Sequence, residues 1–204
     1  MVKKTAIAVA VCLALFAAYR FLTAGYPIVN ADPKGERLVA FGDSLTHGTG
    51  AAEGMDYPSQ LSRMIGEPII NAGVPGDTTS SALQRLQRDV LDHDPRIVFM
   101  TLGGNDLKNR VDKATAFRNL ERIIREIQAT GALVVLGGIR FPVYDRGFSE
   151  AYRSLAERTG TVLIPNIYKD IMGDPKQMSD PIHPNGVGYR RMAEYFFEAV
   201  QPYL

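Results

Sequence analysis

Short apolar runs alternate with amphipathic stretches along most of this chain. Arg37–Phe41 (RLVAF), Pro68–Asn71 (PIIN), Ile97–Leu102 (IVFMTL), Leu133–Leu136 (LVVL) and Thr161–Ile164 (TVLI) are brief, rich in β-branched or bulky residues, and followed by turn residues. Continuous apolar runs of this length predict strands buried on both faces. Between them apolar side chains recur at helical spacing: Leu83, Leu86, Val90 and Leu91; Phe117, Leu120, Ile124 and Ile127; Tyr152, Leu155 and Ala156; Met192, Phe196, Ala199 and Val200. Strand–helix alternation repeated five times predicts an α/β domain, a parallel sheet covered by helices on both sides. No internal repeat or domain linker interrupts the pattern.

The amino end differs in composition. Residues 1–31 contain no acidic side chain, and Lys3 and Lys4 precede an apolar run from Thr5 to Tyr19 that Arg20 ends. A basic start followed by such a run predicts export, with 1–31 acting as a cleaved signal peptide or as an uncleaved N-terminal membrane anchor. Val29-Asn30-Ala31 resembles a small-residue cleavage site, which would leave 32–204 as the mature domain. Either outcome puts the domain outside the cytoplasmic membrane. Cys12 follows Val11 within the apolar run and reads as a small hydrophobe rather than a lipidation site.

Composition narrows the function. The 204 residues carry 23 basic and 22 acidic side chains, a formal charge of +1. Such a balance offers no global attraction to nucleic acid. The one cysteine rules out an intramolecular disulfide framework and a cysteine-based zinc cluster, and no cofactor or metal is expected. Membrane contact is expected only through 1–31, and a monomer is the default.

In parallel α/β folds, ligands bind beyond the carboxyl ends of the strands. The residues there are Gly42-Asp43-Ser44, then Asn71 to Asp77, Gly103-Gly104-Asn105-Asp106, Gly137 to Pro142 and, ahead of the last helix, Asp180 to Asn185. A serine hydroxyl needs a base to become a nucleophile, and near neutral pH an imidazole serves. The three histidines are His47, His93 and His183. His93 ends an amphipathic stretch and reads as a surface residue. His47 lies three residues from Ser44 and is a candidate for lining the site. His183 has Asp180 three residues before it, able to orient the ring. Oxyanion donors would come from the amides of Ser44 and Gly76 and the side chain of Asn105. Asp43 reads as a holder of its own loop, and Asp77, Asp106 and Asn185 as local structural bonds.

FGDSLT at 41–46, NAGVPGDTT at 71–79, LGGND at 102–106 and DPIHPN at 180–185 resemble, in order, the four blocks of the GDSL, or SGNH, hydrolase family. IRFPVY at 139–144 is similar to a segment of its multifunctional esterase branch, the thioesterase I/protease I/lysophospholipase L1 type, and of the related arylesterases. The resemblance implies a flavodoxin-like three-layer α/β/α sandwich with strand order 2-1-3-4-5. It also implies Ser44 as nucleophile, His183 as base with Asp180 behind it, and Ser44, Gly76 and Asn105 as the oxyanion hole. The expected activity is serine-dependent hydrolysis of short-chain aryl or acyl esters, extending to thioesters or lysophospholipids. An O-acetyl esterase of envelope carbohydrate and a non-catalytic envelope binding module are the alternatives.

Two departures bear on substrate. His47 and Thr49 replace a small residue and an aromatic, and the loop after Asn105 (Asp106-Leu107-Lys108-Asn109-Arg110) is more cationic than the family's glycine-rich version. Acyl-chain preference therefore does not carry over. His47, Lys108, Arg140 and Tyr144 are the candidate substrate contacts. A metal hydrolase lacks converging ligands here, a nucleotide fold lacks its phosphate loop, and the Gly-x-Ser-x-Gly elbow of α/β-hydrolases is absent around Ser44.

Overall fold

The computed structural model describes residues 25–141 and 145–204. Five strands form one parallel sheet: β1 (Arg37–Gly42), β2 (Ile69–Gly73), β3 (Pro95–Thr101), β4 (Leu133–Gly137) and β5 (Val162–Ile164), in the order β2-β1-β3-β4-β5. The helices are α1 (Ser44–His47), α2 (Tyr57–Ile65), α3 (Thr79–Asp89), α4 (Gly104–Lys108), α5 (Lys113–Ala129), α6 (Phe148–Thr159) and α7 (Gly186–Val200). The expected strand order is the observed one.

Burial explains why the strands were readable. Every residue of β4 is buried, as is every residue of β1 after Arg37. β3 places Phe99 edge-on to Phe196 of α7, with ring centroids 5.6 Å apart, and Phe196 stacks on Tyr57 of α2 at 4.9 Å. Together they fill one face of the sheet. On the other, Phe117 of α5 packs edge-on against Phe148 and Tyr152 of α6 at 5.3 and 5.0 Å. Such aromatic pairs bury large apolar areas in preferred geometries.

Some boundaries moved. β2 begins and ends later than the apolar run suggested, and its residues are only partly covered because it is an edge strand. α3 stops at Asp89, so Leu91 falls in a 3₁₀ turn, Leu91–His93, with His93 exposed. Helix α2 was not among the expected helices, although Tyr57, Leu61, Met64 and Ile65 recur at i, i+4, i+7 and i+8. Its inward face includes the polar Gln60, whose Nε2 donates to the carbonyls of Met55 (2.7 Å) and Gly186 (2.9 Å). Asp56 caps it by accepting from the Ser59 amide, and Pro58 is tolerated in the first turn because the N–H that proline lacks would have no helical partner there.

Of the expected leader, residues 1–24 lie outside the described residues. Residues 25–31 run along the edge where β4 and β5 begin. The Tyr26 hydroxyl donates to Thr161 O (2.8 Å), the Val29 amide to Gly160 O (2.8 Å), and Asn30 Nδ2 to Gln128 O and Ala132 O, both at 2.9 Å. No helix among the described residues is long and apolar enough to cross a membrane.

Candidate active site

The loops at the carboxyl ends of the strands meet around Ser44. β1 enters this turn through Gly42, where a Cβ would run into Thr46 Oγ1 and the Thr101 carbonyl, so only glycine lets β1, β3 and α1 approach this closely. Ser44 is the first residue of α1. Asp43 caps that one-turn helix, its carboxylate accepting from the Leu45 amide at 3.0 Å. Thr46 is fully buried and shares hydrogen bonds with Thr101 Oγ1 (2.6 Å) and the Tyr57 hydroxyl (3.0 Å), which lock α1 onto the sheet.

His183 comes from the loop ahead of α7. Its Nε2 stands 3.1 Å from Ser44 Oγ, and its Nδ1 is 2.6 Å from Asp180 Oδ2. The other Asp180 oxygen accepts the amides of Ile182 and His183, each at 2.8 Å. The bond from His183, helped by these two amides, holds the Asp180 carboxyl down at about 2, and burial opposes it. It is therefore ionised throughout the physiological range and fixes Nδ1 as the protonated ring nitrogen, which leaves Nε2 free to accept. The loop is anchored at both ends. Ser179 donates its amide to His183 O at 2.9 Å, and Asn185 caps α7 through the Val187 and Gly188 amides at 2.9 and 3.2 Å. The Tyr189 hydroxyl crosses to Thr49 O at 2.8 Å.

Asn105 lies on α4, after β3. Gly103 ahead of it adopts φ +109°, and a Cβ there would collide with the Tyr152 hydroxyl, which donates to Leu102 O at 2.6 Å. Asn105 Nδ2 donates to Asp77 O at 2.9 Å and lies 3.4 Å from Asp43 Oδ2. One of its hydrogens is firmly held; the long contact leaves the other open to a better acceptor. Asp106, fully buried, accepts from the amide and hydroxyl of Thr79 at 2.9 and 2.7 Å, tying α4 to the start of α3. Gly76 sits exposed in the turn after β2, one residue before Asp77.

Asp43 is buried under this assembly. Burial pushes its carboxyl up to about 7; the Leu45 amide opposes the rise, and Asp77 and Asp106 add repulsion.

A cavity of about 500 Å³ opens in front of Ser44 and His183, with Asn105 in its wall. Leu45, Leu107, Ile139, Phe141 and Ile182 supply apolar walls, and Phe141 leans on the Tyr168 ring at 5.7 Å. Of the candidate substrate contacts, Lys108 lines the cavity. His47, at the end of α1, is exposed and lines none of it. Arg140 is exposed between two lining residues without lining the cavity itself, and Tyr144 lies outside the described residues. Residue-type reasoning passed over Arg110 and Tyr168, which also line it, and Arg85 behind it. Arg110 was visible as part of a cationic loop; Tyr168 follows the last strand, where a ligand-facing residue is expected.

Residues 40–191 match the GDSL-like Lipase/Acylhydrolase family. The chain belongs to this family. Among curated GDSL relatives, the thioesterase 1/protease 1/lysophospholipase L1 of Escherichia coli K12 is 29% identical over 175 residues, covering 82% of this chain and 84% of the relative. An arylesterase of Vibrio mimicus is 30% identical over 185 residues, covering 85% and 92%. The crystal structure of TesA superposes with a TM-score of 0.78 at 28% identity, covering 83% of this chain and all of that one. The GDSL chain described here is an ester-bond hydrolase with the parallel α/β fold of its family.

Proposed function

We propose that the protein is a serine esterase working through an acyl-enzyme on Ser44. The observation that carries this reading is the 3.1 Å approach of His183 Nε2 to Ser44 Oγ, with Asp180 on the far side of the ring. Ser44 Oγ attacks the ester carbonyl while its proton passes to His183 Nε2. Negative charge on the carbonyl oxygen is taken by the amides of Ser44 and Gly76 and by the Asn105 hydrogen now turned weakly toward Asp43. The imidazolium formed is stabilised by ionised Asp180. Collapse breaks the bond to the leaving oxygen, which takes the proton from His183. Water then attacks the acyl-enzyme as His183 removes its proton; the bond from the acyl carbon to Ser44 Oγ breaks, Oγ takes that proton back from His183, and the acid departs.

Apolar walls beside the nucleophile suit short-chain acyl or aryl esters, and by the same chemistry thioesters or lysophospholipids, better than an O-acetylated carbohydrate, whose hydroxyls would find few partners on Leu107, Ile139 and Phe141. An assembled serine–histidine–aspartate set also argues against a merely binding module. In this reading 1–31 carries the enzyme across the cytoplasmic membrane, as a cleaved signal or an anchor, and the enzyme acts there as a monomer.

The test is Ser44→Ala. It should abolish turnover of p-nitrophenyl butyrate, and a serine-directed phosphonate should label Ser44 in the unaltered enzyme. Normal turnover by Ser44→Ala would remove the proposal.

A further inference from the structure

Charge is distributed unevenly around the catalytic cavity. Its walls are apolar, yet two cations line it, Lys108 at the end of α4 and Arg110 in the turn that follows. Among the described residues, neither side chain makes a hydrogen bond or an ion pair. Acids close by are already engaged. Asp106 is buried on Thr79, Asp112 caps α5 through the Thr115 amide and hydroxyl at 2.8 and 2.9 Å, and Asp180 holds His183. Asp43 lines the cavity floor but is itself buried.

Arg110 also holds an uncommon backbone conformation, φ +57°. Its amide bonds to Leu107 O at 3.3 Å, and the Val111 amide to Asp106 O at 2.9 Å, which keeps the turn in place. Glycine or asparagine would take this conformation at lower cost. The chain carries instead a long side chain whose planar fork matches phosphate and carboxylate oxygens.

We propose that Lys108 and Arg110 form an anion subsite of the ester-hydrolysing cavity. The favoured substrates are compact esters bearing a phosphate or carboxylate within a few bonds of the scissile carbonyl. Apolar walls strengthen the attraction by keeping water from the space between the charges, and two unpaired cations at the cavity steer an anionic ester inward. A cavity of about 500 Å³ holds a compact group of this kind. The inference rests on the ester-hydrolase reading above and adds its charge selectivity.

The experiment compares matched, water-soluble esters with the full-length enzyme in a pH-stat. Monobutyrin is paired with 1-butyrylglycerol 3-phosphate, which puts the anion on the alcohol side. Ethyl butyrate is paired with ethyl hydrogen succinate, which puts it on the acyl side. The readout is the ratio of kcat/KM, anionic over neutral. At low salt the ratio should favour the anionic member of at least one pair, which also identifies the side that faces the cations. Lys108→Gln and Arg110→Asn should each lower that ratio on the order of fivefold. Asparagine is chosen because it accepts the left-handed backbone. Salt at about 0.5 M, where charges are screened within a few ångströms, should lower the ratio as well. Arg122→Gln serves as the charge control, because Arg122 lies on the exposed face of α5, paired to Glu126 at 2.7 Å, and should leave the ratio where it was. Turnover of neutral esters with the same ratio in wild type, Lys108→Gln and Arg110→Asn overturns the subsite alone. Failure to hydrolyse any of the four esters overturns the hydrolase reading beneath it.

Discussion

Arg85 donates from Nε to Asp77 Oδ2 at 2.6 Å, both side chains being about nine-tenths buried. The same guanidinium bonds to Ala72 O at 2.9 Å, to Asp89 at 3.0 Å and to Gly42 O at 2.8 Å, and lies over the Phe41 ring at 4.4 Å. One side chain thus ties the end of β1, just ahead of Ser44, to the end of β2 and to the turn that holds Asn105 through Asp77 O. Removing one partner of a buried pair leaves the other charge uncompensated. Arg85→Met should cost about 3–5 kcal/mol in urea unfolding. Adding Asp77→Asn to that variant should recover part of the loss, since no charge is then stranded.

Asn105 contributes one weakly held hydrogen to the space in front of Ser44. Asn105→Ala should lower kcat by a factor on the order of 10²–10³ and change KM far less, because the missing donor acts on charge that develops only in the transition state. Steady-state kinetics with p-nitrophenyl butyrate separate the two parameters. The lost bond to Asp77 O should also cost about 1 kcal/mol of stability.

Asp43 makes stability depend on pH. In the unfolded chain its carboxyl ionises near pH 4; in the folded protein burial raises it to about 7. Between those values the native state binds more protons than the unfolded state, so this group's contribution to stability falls as pH rises from about 4 to about 7 and is level above that. Asp180 works in a separate window. Its folded value of about 2 gives a contribution that is complete above about pH 4 and lost as pH drops toward 2. Asp43→Asn keeps an oxygen to accept the Leu45 amide. Its stability relative to wild type should rise from pH about 4 to about 8, read from urea midpoints across the range.

The arm ahead of β1 is part of the folded domain's hydrogen bonding. Asn30 spans two backbone carbonyls and itself adopts φ +56°, which asparagine tolerates better than alanine. Asn30→Ala should cost about 1–2 kcal/mol, and Asn30→Gly isolates the side-chain part of that loss. A chain beginning at Asp32 should therefore melt below one beginning at Gly25. If the leader is cleaved on export, mass spectrometry of the envelope protein should find a new amino terminus near Asp32; if it anchors the enzyme, the terminus should be Met1 or Val2.

Much of this molecule was legible because local rules wrote it. Runs such as IVFMTL and LVVL are continuous because parallel strands are buried on both faces, so β3 and β4 announced themselves. Helix α2 was written as plainly, in Tyr57, Leu61, Met64 and Ile65 at helical spacing, and was passed over because Pro58 and the polar Gln60 interrupt the apolar face that packs on α7. Histidine was the harder case. His47 stands three residues from Ser44 and His183 stands 139 positions away, yet the near one faces solvent and the far one reaches the hydroxyl. Arg85 drew no notice in the sequence, where only the apolar positions of its helix stand out; its bonds to Asp77 and to Gly42 O exist only once the turn after β2 folds against it. The sequence by itself determined the strands, most helices, the turn glycines and the chemistry at each strand end, since these follow from periodicity and backbone preference within a few residues. Only the tertiary structure decided which of those ends share a cavity, which cations lie unpaired in it and which carboxylate is buried beneath it. Those outcomes depend on distances set by strand order and crossovers, and no local pattern contains them.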